Sequence, residues 1–556
     1  MTSYDEVPYP AHAFSQTHPD RLATLARLFG MTPADPRRCR VLELGCGSGG
    51  NLLPMAVELP ESRFLGIDLA ARPVAEGQAL IEEVGLKNVA LRREDIMEFP
   101  ADAGLFDYII AHGVYSWVPA EVRERLLALV GAHLAPRGVA MISYNAYPGG
   151  HARNMLREMM LFHVRGIEDP RQRIEQARAL LKFLAESQTD EDHYARLLRA
   201  EFARVVKYPA EHLYHDDLAE INEHFYFTQF ASDAARHGLQ YVSEAYYHRT
   251  HHRWRPPGAP NPLADLDDTP ILREQYGDFV NCCRFRMTLL CRDDVALERA
   301  QRPEQMRQFF FTGRIATAGS SDDAATTEGG APTHDAHATS QTDAESGTRA
   351  ESDGVAGADP YADVRTDGLR EFVGSGGTKI VVGAPIAKAA FTRLGELWPS
   401  AASFDELLDF VRALLGRGEE DDTRERDAED LCLILLTAYA SGFLEVGSYK
   451  PNFITEVSER PRTTALARAQ ARRGTHVTNL RHAEVKLEVA LTRRLVELLD
   501  GTRDRAGLVS ELRAFVESGE AFGSEGEADA REVLKSLPEQ LEVNLKALAE
   551  LSLLVS

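Results

Sequence analysis

The chain is short of positive charge: 62 lysines and arginines against 85 acids leave a formal net charge of -23 over 556 residues. That balance argues against partners held by a general electrostatic field, so neither nucleic acid nor an anionic membrane is expected. Solubility alone explains an acidic surface, which would also suit a basic peptide or a lysine-rich protein partner. Cysteine is scarce too. The six thiols (Cys39, Cys46, Cys282, Cys283, Cys291 and Cys432) lack the spacing of a disulfide framework, which points to a reducing compartment. No apolar run approaches the ~20 residues that span a bilayer, and the opening MTSYDEVPYP has no basic-then-apolar signal. A cytoplasmic protein is expected. His248, His251 and His252, with Cys282, Cys283 and Cys291, carry ligand atoms without the paired spacing of a zinc site, so no metal is expected.

What the chain does have is an organising stretch, RVLELGCGSGGN, over 40–51. Apolar residues around Glu43 predict a buried strand that runs into a glycine-rich loop and then a helix near Asn51. Glycine permits the tight turn and lets the backbone lie against a nucleotide-like ligand. The spacing Gly45-x-Gly47-x-x-Gly50 also satisfies the dinucleotide fingerprint, so the pattern alone leaves nicotinamide, flavin and purely structural readings open. Glu43 weighs against a dinucleotide: a carboxylate two residues before the first glycine would be repelled by a pyrophosphate. It suits the ammonium on the methionine end of S-adenosylmethionine.

The length predicts three or more structural units. Crowded aromatics and imidazoles (Tyr4, Tyr9, His12, Phe14, His18) precede a helix near 20–29, an arm that either folds over a nucleoside or packs on the core. From Cys39 strands are expected at 40–44, 63–68, 88–92, 106–111 and 138–144, with helices at 51–59, 71–84 and 119–134. Such alternation predicts right-handed βαβ units and a parallel sheet buried on both faces. A helical pair is expected across 151–205. Strands at 239–246 and 285–291, with a helix near 271–280 between them, would complete a seven-stranded sheet. Residues 316–366 hold ten acids and two bases, and Val355 is the one large aliphatic before Val364. Such a segment cannot bury enough apolar surface to offset its ordering entropy, so it reads as a flexible linker. Beyond it, a strand at 379–383, helices at 385–397, 404–416 and 427–441, and a wing at 453–456 form a winged-helix pattern. Helices at 484–500 and 504–517 follow. The expected units are 1–150 (arm and cofactor-binding core), 151–210 (helical lid or dimerisation insertion), 211–315 (regulatory-type segment completing the sheet), 316–375 (acidic linker) and 376–556 (winged-helix-like, α-rich).

Asp68, ending the second strand 23 residues after Gly45, is placed to accept from both ribose hydroxyls. Asp95 and Ile96 follow the third strand, where a carboxylate can meet the adenine amine and an aliphatic can cover the ring. His112, Tyr115 and Trp117 follow the fourth strand at the carboxyl edge, where open α/β sheets bind ligands. The fifth strand delivers Tyr144, Asn145 and Tyr147 to that edge; tyrosine and asparagine oxygens can accept from an amine, and tyrosine faces attract cations. The cofactor set is therefore Glu43, Gly45, Cys46, Gly47, Gly49, Asn51, Asp68, Leu69, Asp95, Ile96, His112 and Tyr115, with Tyr144 and Asn145 as catalytic positioning groups. The basic island 460–486 is not read as a nucleic-acid site, because the helix that would enter a groove, LCLILLTAY at 431–439, has no side chain for base edges.

With these motifs in hand, the chain resembles the bacterial class I methyltransferases that carry a methyltransferase regulatory domain, including the rickettsial outer-membrane-protein lysine methyltransferases. The resemblance rests on YDEVPYPAHAFSQTHPDRLATLARLFG, ELGCGSGGN, FDYIIAHGVYSWVP, SYNAYPGG, HDDLAEINEHFYFTQFA, EQYGDFVNCCRFRMTLLC, FITEVSERPR and VTNLRH. It implies an α/β, Rossmann-like seven-stranded class I methyltransferase core, a helical dimerisation insertion, a middle segment and a C-terminal domain around an open cavity. It further implies that Glu43, Gly45, Gly47 and Asp68 bind S-adenosylmethionine, with His112 and Tyr115 nearby. The acidic linker departs from that pattern, and no motif names the methyl acceptor. The expected function is S-adenosylmethionine-dependent methyl transfer, to protein lysines by in-line displacement in a homodimer. The alternatives are a small-molecule or peptide methyltransferase and a non-catalytic module that senses the cofactor.

Overall fold

A computed structural model of the chain describes residues 7–556 apart from 8, 11, 190, 208, 251–268, 319–341, 344–359, 363, 375–376, 419–421 and 522–526. Most of the expected linker and the opening Tyr4 thus lie outside the described residues.

Helix α1 (Pro19–Leu28) starts on His18, whose ring accepts from the Asp20 amide, with Pro19 at the first helical position. The sheet begins at β1 (Arg40–Leu44) and continues with β2 (Arg63–Asp68), β3 (Val89–Arg93), β4 (Phe106–Ala111) and β5 (Leu134–Ala146). All five run parallel. Helices α2 (Leu52–Glu58), α3 (Ala71–Val84) and α4 (Ala120–His133) alternate with them. A two-residue strand, β6 (His224–Phe225), pairs with the end of β5. The strands β7 (Leu239–Glu244) and β8 (Phe285–Arg292) finish the sheet in the order β3-β2-β1-β4-β5-β8-β7, with β8 antiparallel to both neighbours. This is the Rossmann-like order with seven main strands that the sequence predicts. Chain direction switches sides between β1 and β4, the position at which open α/β sheets bind ligands.

The insertion differs from the expected pair of helices. Three helices are present, α5 (Gly150–Val164), α6 (Pro170–Glu186) and α7 (His193–Val205). Asp169 and Asp192 cap the second and third through their side chains, so the breaks come from capping chemistry inside one continuous apolar periodicity. They enclose a core of their own, including Leu156, Met160, Leu181, Leu198 and Leu213. Helices α8 (Phe227–Ala235) and α9 (Pro270–Asn281) flank the last two strands.

The ends of the expected linker are ordered: Ala316 and Thr317 pair with Val373 and Phe372 in an antiparallel bridge. Helices α10 (Pro385–Leu397), α11 (Phe404–Leu414) and α12 (Arg424–Ala440) follow. Their apolar faces, including Phe391, Leu407, Leu431 and Leu435, join the hydrophobic core that covers one face of the sheet. The wing expected at 453–456 is absent, since those residues carry no strand. A helix–hairpin–helix pattern starts instead at α13 (Ala465–Arg473), with a hairpin of His476–Thr478 against Glu484–Lys486. Helices α14 (Ala490–Leu498), α15 (Arg505–Glu517) and α16 (Glu527–Glu550) complete it. The expected helix at 484–500 is therefore part strand, because Val485 alternates into a separate core with Val477 and Leu495.

The outer strands are pinned by a buried charge cluster. Arg286 on β8 is 2% exposed; it donates to Glu244 at 2.8 Å, Glu274 at 2.6 Å and Asp278 at 2.8 Å. Removing the guanidinium strands three carboxylates in the interior, so Arg286→Met should lower unfolding free energy by roughly 3–5 kcal/mol. Urea unfolding followed by circular dichroism would measure the loss.

Candidate active site

The site starts at the end of β1. Leu42 and Leu44 point into the core under α4, whereas Val41 belongs to the opposite face, and strand alternation puts Glu43 on the Val41 side. The amides of Gly45 and Cys46 both donate to the Ile67 carbonyl, at 2.9 and 3.1 Å, which folds the chain sharply across the end of β2. Gly45 has φ +74°, and a Cβ there would lie 2.4 Å from Val114 Cγ2, so no other residue fits. The Gly47 amide donates to one Asp68 oxygen and the Ala70 amide to the other, each at 2.8 Å. Asp68 thus ties the loop to the second strand.

Glu43 is 4% exposed. Its Oε1 accepts from Asn51 Nδ2 at 2.7 Å. Its Oε2 is buried with no partner among the described residues. Burial pushes the carboxyl up to about 8, the Asn51 hydrogen bond pulling against this and the Asp68 charge adding to it. Asn51 is itself gripped: its oxygen accepts from the Phe14 amide at 3.1 Å and from Thr17 Oγ1 at 3.0 Å. The N-terminal arm therefore packs on the loop, and the Phe14 ring meets His112 with centroids 4.2 Å apart. A third group on Asn51, His482 Nε2 at 2.8 Å, comes from 431 residues away. Phe14, Thr17 and His482 had no assigned role from sequence. Phe14 sat in the aromatic arm and His482 in VTNLRH, but neither motif says what it touches.

The other expected residues divide. Cys46 is buried and its thiol is pushed well up by desolvation, so it fills space beside Gly66 rather than reacting. The Glu94 amide bonds the Asp68 carbonyl at 3.0 Å, which brings the Asp95–Ile96 turn beside Asp68. Asp95 caps that turn by accepting from the Met97 amide at 2.9 Å, and Leu69 is 50% exposed next to it. Tyr115 is not brought beside Glu43. Its ring lies among Phe225, Phe230 and Tyr144, and its hydroxyl reaches Asp233. Tyr144 shares that cluster, stacked on Phe230 at 4.1 Å with its hydroxyl 3.2 Å from Thr288. It has the parity of Ile142 and Ala140, which face the same core, so alternation turns its ring into that core. Asn145 is also buried: its backbone N–H donates to Ser116 Oγ and its side-chain Nδ2 to Asn222 Oδ1, both at 2.8 Å. It fastens the end of β5 to the loop after β4 and to the segment that leads into β6. Next to them a concavity of about 620 Å³ is lined by Glu223, His224, Phe225, Thr228, Gln229, Ser232 and Asp233. Of the histidines considered as ligands, His251 and His252 lie outside the described residues.

A doubly flanked central strand, a glycine loop at its carboxyl end and a buried acid with one bare oxygen define a Rossmann-like core built for a cationic nucleoside. Comparison with known proteins is specific. The family described as a methyltransferase domain matches residues 41–138, a predicted methyltransferase regulatory domain matches 209–292, and the PKMT C-terminal winged helix domain matches 459–553. Protein RP028 of Rickettsia prowazekii is 40% identical over 235 residues, which cover 42% of this chain and 94% of that protein. Protein RP789 of the same organism is 28% identical over 544 residues, 96% of this chain and 91% of its own length. The solved structure of PKMT2 from Rickettsia typhi in complex with AdoHcy superposes with a TM-score of 0.80 at 26% identity, covering 99% of this chain and all of that one. The chain belongs to the class I S-adenosylmethionine-dependent methyltransferases that carry a methyltransferase regulatory domain and a C-terminal winged helix. The winged-helix match thus lies after α12, inside the unit expected at 376–556.

The raised Glu43 carboxyl makes a signed prediction. Relative to the unfolded value of 4.5, a folded value of about 8 means its stabilising contribution is complete below pH 4.5 and lost as pH rises through 8. Glu43→Gln removes that loss. Without cofactor, the variant should therefore gain on the parent in unfolding free energy from pH 5 to pH 9, by about 1.4 kcal/mol per pH unit titrated at most, as urea unfolding at each pH would measure. A difference that stays flat across the range contradicts it.

Proposed function

We propose that this methyltransferase acts on protein lysine side chains, with the donor held by the loop after β1. Full-length likeness to PKMT2 carries the reading, because it extends beyond the donor core through the regulatory segment and the winged helix. The residues present fit S-adenosylmethionine. The bare Glu43 oxygen suits its ammonium, the Asp68 carboxylate at the end of β2 suits ribose hydroxyls, and a backbone without Cβ at Gly45 and Gly47 admits close contact. Gly49 and Cys46 shape the same turn, Asn51 acts through Glu43, and Asp95, Ile96 and Leu69 flank the adenine end. His112, with Phe14 against it, borders the reacting end. Tyr115 and Tyr144 have no part in this set.

Bound S-adenosylmethionine supplies an electrophilic methyl on a sulfonium centre. The protein's share is to hold donor and acceptor in line and keep water out. An acceptor lysine, ordinarily protonated with a pKa of about 10.4, sheds its proton on desolvation beside a fixed positive charge. Asn145 contributes by fixing Ser116 to the loop at Asn222, which sets the width of the mouth. The net charge of -23 favours a basic substrate. Phe162 and Phe183, on α5 and α6, are 68% and 64% exposed, which supports a homodimer formed through the insertion.

Two measurements test this. Incubation of a bacterial extract with donor labelled in its methyl group should put label into protein, recovered as methyl-lysine after hydrolysis; label only in extractable small molecules overturns the lysine reading. In calorimetry at pH 7, binding of AdoHcy should release a proton from Glu43, because its ammonium favours the ionised carboxylate. Glu43→Ala should abolish the release and weaken binding about 100-fold.

A further inference from the structure

The hairpin between α13 and α14 reaches the donor loop. Its tip is closed by the Asn479 amide on the Ala483 carbonyl, while Asn479 Oδ1 accepts from the amides of Arg481 and Ala483 at 3.0 and 2.9 Å. The tip is braced from behind. Asn479 Nδ2 donates to the Leu551 carbonyl at 2.9 Å, and Arg481 lies over the Trp398 ring while pairing with Glu445. This leaves His482 at φ +55°, a left-handed conformation that favours glycine, with the ring buried to 2% exposure. A side chain kept in so unfavourable a backbone position invites a functional account.

The hydrogen-bond logic fixes the tautomer. The Phe14 amide can only donate, so the Asn51 atom it meets is the oxygen. His482 Nε2, 2.8 Å from that same oxygen, must carry the proton, and Nδ1 is left bare. Burial lowers the imidazole's proton affinity far below ordinary, and His18, with its ring 5.4 Å away, adds to this, so a neutral ring fits. The Phe14 amide and His482, from two distant segments, thus orient one amide, whose opposite end holds Glu43 Oε1 and leaves Oε2 pointing free.

We propose that His482 is a positioning residue for the donor site: through Asn51 it holds Glu43 in the orientation that receives the cofactor's ammonium, so the winged-helix domain completes the pocket of the core. The inference rests on the reading of Glu43 given above. Binding of donor and docking of the C-terminal domain then reinforce each other by the same factor. The docked domain has further anchors: Arg472 and Arg473 pair with Glu83 on α3, and Glu484 meets His12 of the arm at 3.1 Å.

The test uses full-length protein and AdoHcy. His482→Leu keeps bulk and backbone strain but loses the donor, whereas His482→Gln keeps a donor. Calorimetry should give roughly tenfold or greater weakening for the leucine variant and about threefold or less for glutamine. Hydrogen exchange across 476–486 should slow on adding AdoHcy in the parent and the glutamine variant, and not in the leucine variant. Equal affinity in all three overturns the inference, as does an equal loss in both variants that follows their melting temperatures. Should the leucine variant fail to fold, Arg472→Ala with Arg473→Ala loosens docking without touching Asn51. About threefold weaker binding supports the coupling, and unchanged affinity overturns it. Glu43→Ala serves as the separate control: parent-like binding there sinks the reading of the acid itself, while loss there with no effect at His482 sinks only the coupling.

Discussion

The structure depends on a carboxylate placed where water cannot reach it. Glu43 lies one residue before the end of β1, and among the described residues only one of its oxygens is answered. An isolated buried acid is unfavourable, so its surroundings are over-determined. Asn51 supplies one hydrogen bond, and the arm, the loop and the far hairpin all hold Asn51. Segments far apart in sequence converge on this one group, which is why the parts of the chain cannot be understood separately.

That convergence also explains how three units form one body. The helices α10 to α12 share the hydrophobic core that covers one face of the sheet. The segment after α12 is stitched to α1 and α2: Ser448 donates to Asp20, and the Tyr449 hydroxyl donates to Glu58 at 2.7 Å. The winged helix has its own core; it touches the methyltransferase unit through Leu466, which joins the core over the sheet, and through the ion pairs of Arg472, Arg473 and Glu484. Apolar burial fixes the middle unit in place, and directional hydrogen bonds set the registry of the last one.

Local physics made β1 to β5 and their helices legible, because buried parallel strands read as apolar runs and glycine loops punctuate them. The acid-and-glycine turn was legible for the same reason. Tyr144 and Tyr115 both lie in the aromatic cluster with Phe225 and Phe230. Position at the carboxyl edge of a strand says which end of the sheet a residue reaches, but parity decides which face it meets. Tyr144 matches Ile142 and Ala140, a clue present in the sequence and outweighed by residue type. Three amphipathic helices in a row satisfy a winged-helix pattern wherever they occur, and the winged-helix match lies after α12. His482 lay beyond local reading, as its partner is 431 positions away.

The order of the sheet carries one more implication. Residues 140–145 of β5 gain their second neighbour only from 285–290 of β8, after the insertion and β7 have passed. During synthesis the growing chain therefore presents an apolar strand with open hydrogen-bonding groups for more than a hundred residues. Any shortened version ending near residue 150 would keep that edge bare permanently and tend to self-associate.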